Sequence, residues 1–142
     1  MTLVERLIAA AKTPVTLVGS SLGGYYATHL AEKHGLRAAL VNPAVVAHVS
    51  LSDYLGPQTN LYNGEVFEFT RQHIAELEAI AVPRLSHPEH FWLLVEKGDE
   101  LLDYRLAVSR YAGARQAVID GGDHSFMHWD DYLDELIRYA GI

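Results

Sequence analysis

The sequence has no cysteine in 142 residues. That excludes disulfide staples, thiolate metal ligands and a cysteine nucleophile together, and fits a reducing compartment. No apolar run approaches the roughly 20 residues a membrane-spanning helix needs. The start "MTLVERLIAAAK" carries an acidic residue and no small-residue cleavage site, so it does not read as a signal peptide. A cytoplasmic protein with no membrane partner is expected. Basic charge is scarce: 11 Lys and Arg face 18 Asp and Glu, for a net charge of −7, which leaves no footprint for nucleic acid. What is present is 49% hydrophobic and 20% charged, an ordinary globular composition, and the length suits one domain over residues 1–142.

Helical and extended patterns alternate along the chain. "TLVERLIAAA" puts Leu3, Val4, Leu7, Ile8 and Ala11 on one helical face, and Thr2 with Glu5 matches a capping box. Val15 to Val18 is a short apolar strand expected to be covered on both faces. "AALVN", Phe91 to Asp99 and Arg115 to Asp120 read as three more strands. Between them lie helices ending at Gly35, capped by Asp103, and running from Trp129 through Leu136 to Ala140. Strands separated by helices predict an α/β fold with a parallel sheet of about four strands. Residues 44–88 carry more than a crossover needs. Asn63-Gly64 is a hairpin turn signal, a helix is expected from near Thr70, and an insertion here would form a small lid.

In "TPVTLVGSSLGGYYATHLAEKHG", Gly19-Ser20-Ser21-Leu22-Gly23 fits G-x-S-x-G directly between a predicted strand and a predicted helix. That context is what a nucleophile elbow requires. Ser21 is the candidate nucleophile, Gly19 and Gly23 are expected to relieve crowding at the turn, and the Leu22 N–H is the expected oxyanion donor. No lysine follows the glycines as a phosphate loop demands, and G-x-G-x-x-G is absent. No cofactor is expected.

The base and its orienting acid should follow in the order Ser, Asp or Glu, His. Asp99 lies just past the third strand and His124 just past the fourth, in "GGDHSF", so both fall at the same end of the sheet as Ser21. Asp103, Asp120 and Asp123 are the alternative acids: the first suits a helix cap, the second a strand end, and the third is too near the histidine. His124 with His128, and His87 with His90, have metal-like spacings but no third ligand of obvious spacing, so no metal site is expected.

These residues resemble the YqiA-like esterases, small bacterial α/β-hydrolases. The resemblance rests on "LVGSSLGGYYATHLAEKHGLRAALVNPAV", "DYLG", "RQHI", "GDELLDYRLAV" and "RQAVIDGGDHSF". It implies an α/β-hydrolase fold, a triad of Ser21, Asp99 and His124, and hydrolysis of carboxylic esters or acyl-thioesters through an acyl-enzyme. Arg71 and His73 fall on the family's R-x-H pattern and, with Asn42, are candidate substrate contacts. Family members begin with a strand and a His-Gly-Phe type turn that this sequence does not contain. The resemblance therefore implies a truncated hydrolase with one oxyanion donor where two are expected. The loop Asn42-Pro43-Ala44 is the candidate source of another. It also implies an uncovered sheet edge at Val15 to Val18, hence a homodimer. The alternative is a non-catalytic remnant that binds an acyl ligand or a protein partner.

Overall fold

The fold comes from a computed structural model that describes residues 2–60 and 62–142, the side chain of Thr2 excepted. The capping box expected between Thr2 and Glu5 lies outside the described residues. In chain order the elements are α1 (Thr2–Ala10), β1 (Thr16–Ser20), α2 (Leu22–His34), β2 (Arg37–Val41), α3 (Ala47–Ser50), β3 (Gly56–Thr59), β4 (Val66–Phe69), α4 (Arg71–Ala79), β5 (Phe91–Glu96), α5 (Tyr104–Arg110), β6 (Arg115–Ile119) and α6 (Trp129–Ala140). They fall into two compact units: one holds residues 1–45 and 82–142, the other Val46–Ala81.

The larger unit is built on a four-stranded sheet in the order β1-β2-β5-β6. Every pairing is parallel, with Gly19 opposite Leu40, Leu40 opposite Leu93 and Leu93 opposite Gln116. Successive side chains on a strand point to opposite faces, so the inner strands feed two cores. Leu40, Phe91, Leu93 and Val95 pack with Ala27 and Ala31 of α2 and Ala107 of α5; Ala39, Val41, Trp92 and Leu94 pack with Phe126 and Leu136. All six residues of β5 are buried, which is why it reads as "FWLLVE" without alternation.

The sheet edge corrects one expectation. β1 is not covered on both faces: Val18 is 51% exposed, so one face of the strand is open, and among the described residues β1 has a strand neighbour only on the β2 side. The apolar face expected on α1 is likewise open, with Leu3 65% and Leu7 63% exposed. α1 is tied instead through Glu5, which pairs with Lys33 at 2.6 Å and lies 3.7 Å from His34. No helix of the described residues is long and apolar enough to cross a membrane.

The smaller unit carries the β3–β4 antiparallel hairpin, with α3 packed on α4. The hairpin turn uses Gly64 at φ 72°, whose N–H reaches the Asn60 carbonyl at 2.8 Å. Thr70 begins α4 through a capping box in which His73 takes the place usually held by Glu or Gln: the Thr70 N–H donates to His73 Nδ1 at 3.0 Å.

Candidate active site

The strand β1 runs to Ser20 and α2 starts at Leu22, so Ser21 alone makes the corner, with φ 52° and ψ −124°. A non-glycine residue in such a conformation costs on the order of 1 to 3 kcal/mol and persists only when its surroundings hold it. Here the Ser21 N–H donates to the Val41 carbonyl at 3.0 Å, and the Ser21 carbonyl accepts from Gly24 (3.0 Å) and Ala44 (2.9 Å). The glycines divide differently from the motif. A Cβ on Gly19 would lie 2.4 Å from the Gly23 carbonyl oxygen and 2.8 Å from the Ala27 Cβ, and one on Gly24 would meet the Pro43 Cβ at 2.6 Å. Gly23 was expected to be crowded, yet a Cβ there would meet nothing within 4 Å, so Gly24 is the second glycine the corner requires. The Leu22 N–H belongs to the first turn of α2, where no helical carbonyl reaches back to accept.

Ser21, His124 and Asp99 meet at the carboxyl ends of β1, β6 and β5. His124 Nε2 is 2.9 Å from the Ser21 Oγ, and His124 Nδ1 is 2.9 and 3.0 Å from the two Asp99 carboxylate oxygens. Asp99 is 2% exposed at its side chain, and its Oδ1 also accepts the N–H groups of Leu101 and Leu102 at 2.9 Å each. A carboxylate only accepts, so Nδ1 carries the proton and Nε2 is free to accept from the serine hydroxyl. The alternative acids are engaged elsewhere. Asp103 caps α5 and pairs with Arg105, Asp120 pairs with Lys97 at 2.6 Å, and Asp123 accepts from Ser125. Their pKa values all lie below the usual value through those same hydrogen bonds.

Asn42 is a correction. It is 2% exposed, and its side chain is spent inside the protein: Nδ2 donates to the carbonyls of Asp123 (3.0 Å) and His124 (3.2 Å), and Oδ1 accepts the Glu96 N–H (2.9 Å). It holds the histidine loop and has no group left for a substrate. The loop Asn42-Pro43-Ala44 is equally spent as an oxyanion donor, since the Asn42 N–H goes to the Leu94 carbonyl, Pro43 has none, and the Ala44 N–H goes to Ser21. Arg71 and His73 belong to the smaller unit. Arg71 is exposed at the start of α4, while His73 uses Nδ1 for the cap and stacks on Phe69 at 5.4 Å.

Two glutamates near His124 went unread in the sequence. Glu100 accepts the His124 N–H at 3.0 Å, and Glu96 is wholly buried beneath the same loop. A charge closing the apolar run "FWLLVE" was the available signal for the second. Among the described residues, the non-glycine positions with positive φ are Ser21, Asn42 and Phe126, and all three serve this corner or its loop.

The histidine pairs also resolve. His124 has both ring nitrogens engaged, and His128 Nδ1 lies 2.6 Å from Glu96 Oε1, so these two share no metal. For His87 and His90, Glu89 supplies the third group that spacing did not reveal, with all three ligand atoms within 4.8 Å of one another. Their rings are stacked, 5.1 Å apart and 22° from parallel, and His87 Nδ1 lies 3.1 Å from Glu89 Oε1.

Solved structures share the α/β-hydrolase fold. An Agrobacterium vitis S4 protein matches with a TM-score of 0.66 at 19% identity, covering 88% of this chain and 60% of its own. The esterase domain of a Rhodothermus marinus protein matches at 0.60 and 21%, covering 94% and 62%. The alpha/beta hydrolase domain-containing protein 10 from mouse matches at 0.59 and 22%, covering 95% and 68%. This chain thus spans about 60% of the length of the first two. In sequence, the profile of the family described as Uncharacterised protein family (UPF0227) matches residues 1–141, and the chain belongs to that family.

Proposed function

We propose that the chain is a serine hydrolase that cleaves carboxylic esters or acyl-thioesters through an acyl-enzyme. The observation that carries this reading is the single imidazole of His124, bonded to the Ser21 hydroxyl on one nitrogen and the buried Asp99 on the other. In the mechanism it supports, the Ser21 Oγ attacks the acyl carbonyl while His124 Nε2 takes the hydroxyl proton. Asp99 holds the Nδ1–H tautomer and stabilises the imidazolium. The tetrahedral oxyanion forms beside the Leu22 N–H at the positive end of α2. His124 then gives its proton to the departing alkoxide or thiolate, and water repeats the sequence to release the acid.

A fluorophosphonate probe tests the reading directly, because only a serine activated by its base reacts rapidly. Stoichiometric labelling at Ser21 is expected, located by peptide mass. A folded chain that takes no label at Ser21 overturns the hydrolase reading in favour of a non-catalytic acyl-ligand or protein-binding module.

The same proposal includes a cytoplasmic protein in which residues 44–88 are a lid-like insertion. It also includes a homodimer, since an apolar strand with one unpaired edge is a site for pairing. β1 and the open face of α1 supply such a surface. Light scattering at micromolar concentration should give twice the chain mass, and amide exchange should be slow along Thr16–Ser20. A monomer with rapid exchange there excludes the dimer.

A further inference from the structure

The strand order poses a problem of reach. Ser21 follows β1 and His124 follows β6, and these are the two edges of the sheet. At roughly 4.8 Å per strand the separation is about 14 Å, so the segment after β6 must travel back across β5 and β2 to bring the imidazole to the serine. Its polar anchors stand at the ends of the two strands it crosses. Asn42 follows β2 and Glu96 ends β5.

Glu96 is 0% exposed, and an ionised carboxylate is buried only where its oxygens are satisfied. Both are. Oε2 accepts the Asp123 N–H at 2.7 Å, while Oε1 accepts the His128 N–H at 3.0 Å and lies 2.6 Å from His128 Nδ1. Burial pushes its pKa up, but these bonds and one from the Met127 N–H outweigh it and leave the carboxyl below its usual value. The backbone is shaped to the carboxylate. Gly122 has φ 72°, and a Cβ there would fall 1.8 Å from Glu96 Oε2. Glu96 therefore collects N–H donors on both sides of His124 in the chain, and Asn42 binds the carbonyls of Asp123 and His124 between them.

We propose that Glu96 is a positioning residue for His124, whose buried carboxylate fixes the segment from Gly122 to His128 so that the imidazole lies between Asp99 and Ser21. The inference rests on the hydrolase reading for its kinetic consequence, though not for its structural one. Glutamine cannot replace it on equal terms. Its amide has one accepting oxygen where N–H donors reach both carboxylate oxygens, so its NH2 would face a donor.

The test compares wild type, Glu96→Gln and His128→Ala, using the initial rate on an aryl acetate per mole of folded chain and the proton NMR signal of the His124 Nδ1–H. An ångström-scale misplacement of a catalytic group costs up to about 100-fold, so Glu96→Gln should lower kcat by roughly 30- to 100-fold while KM stays within about 3-fold, and the Nδ1–H signal should vanish into exchange. A role confined to stability would leave kcat per folded chain and the signal intact. His128→Ala keeps the backbone donors and should lower kcat by about 3- to 10-fold. A folded Glu96→Gln with wild-type kcat and an unchanged signal overturns the proposal. If Glu96→Gln does not fold, an unchanged kcat and signal in His128→Ala overturn it. If wild type hydrolyses nothing, the hydrolase reading falls, and the fate of the Nδ1–H signal in Glu96→Gln still decides whether Glu96 holds the ring.

Discussion

Alanine at position 21 is expected to leave the chain folded and to reduce hydrolysis of an activated aryl ester by at least about 1,000-fold. The fold should survive because the corner is held by Ser21 backbone groups, its N–H on Val41 and its carbonyl on Gly24 and Ala44, none of which alanine removes. The activity should not, because in the proposed mechanism the hydroxyl is the attacking atom and His124 without it has nothing to deprotonate. Asp99→Asn should cost about as much, on the order of 10,000-fold, since an amide that presents NH2 to Nδ1 turns the imidazole to the wrong tautomer. Asp103→Asn should change the rate by less than about 3-fold, because that carboxylate caps α5, where asparagine also serves. Steady-state rates for the three variants, with folding checked by circular dichroism, decide the matter. An active Ser21→Ala ends the serine mechanism, and an Asp103→Asn that fails where Asp99→Asn works reassigns the acid.

The second large effect separates two glycines that the motif treats alike. Gly19→Ala should destabilise the chain by about 3 kcal/mol or more, because its Cβ would sit 2.4 Å from the Gly23 carbonyl oxygen and 2.7 Å from the Gly23 carbonyl carbon. These are backbone atoms of the first turn of α2 and cannot swing aside. Gly23→Ala should be neutral or stabilising by up to about 1 kcal/mol, since the space is open and alanine is the better helix former. Urea denaturation of both variants checks the contrast. Equal losses would mean that the corner is packed differently from the geometry described above.

Most of the architecture was legible because its signals are local. "FWLLVE" has no alternation because both faces of β5 are covered, and Asn63-Gly64 makes its turn with nothing required from elsewhere. The positions of Ser21, Asp99 and His124 at one end of the sheet followed from strand boundaries alone. What escaped the sequence was decided by neighbours. Whether Val18 is covered depends on what packs over that face of β1, and the crowding of Gly24 depends on Pro43, which arrives from the end of β2. Asn42 looked available to a substrate because nothing local shows that its three hydrogen bonds close on residues more than fifty positions away. Glu96 escaped for the same reason, as its partners lie in a loop 27 to 32 residues further on.

The placement of Ser21 and His124 after opposite edge strands also bears on how the proposed chemistry would arise as the chain folds. The Ser21 to His124 contact closes a separation of 103 residues, and long-range contacts in parallel sheets are slow to form because loop-closure entropy is lost before they stabilise anything. A chain with only the inner pair β2 and β5 in register has neither partner of that contact placed, since Ser21 follows β1 and His124 follows β6. On the proposed mechanism, reactivity at Ser21 is therefore expected only once both edge strands are in place, so a fluorophosphonate label applied during refolding would follow that closure rather than the formation of helices.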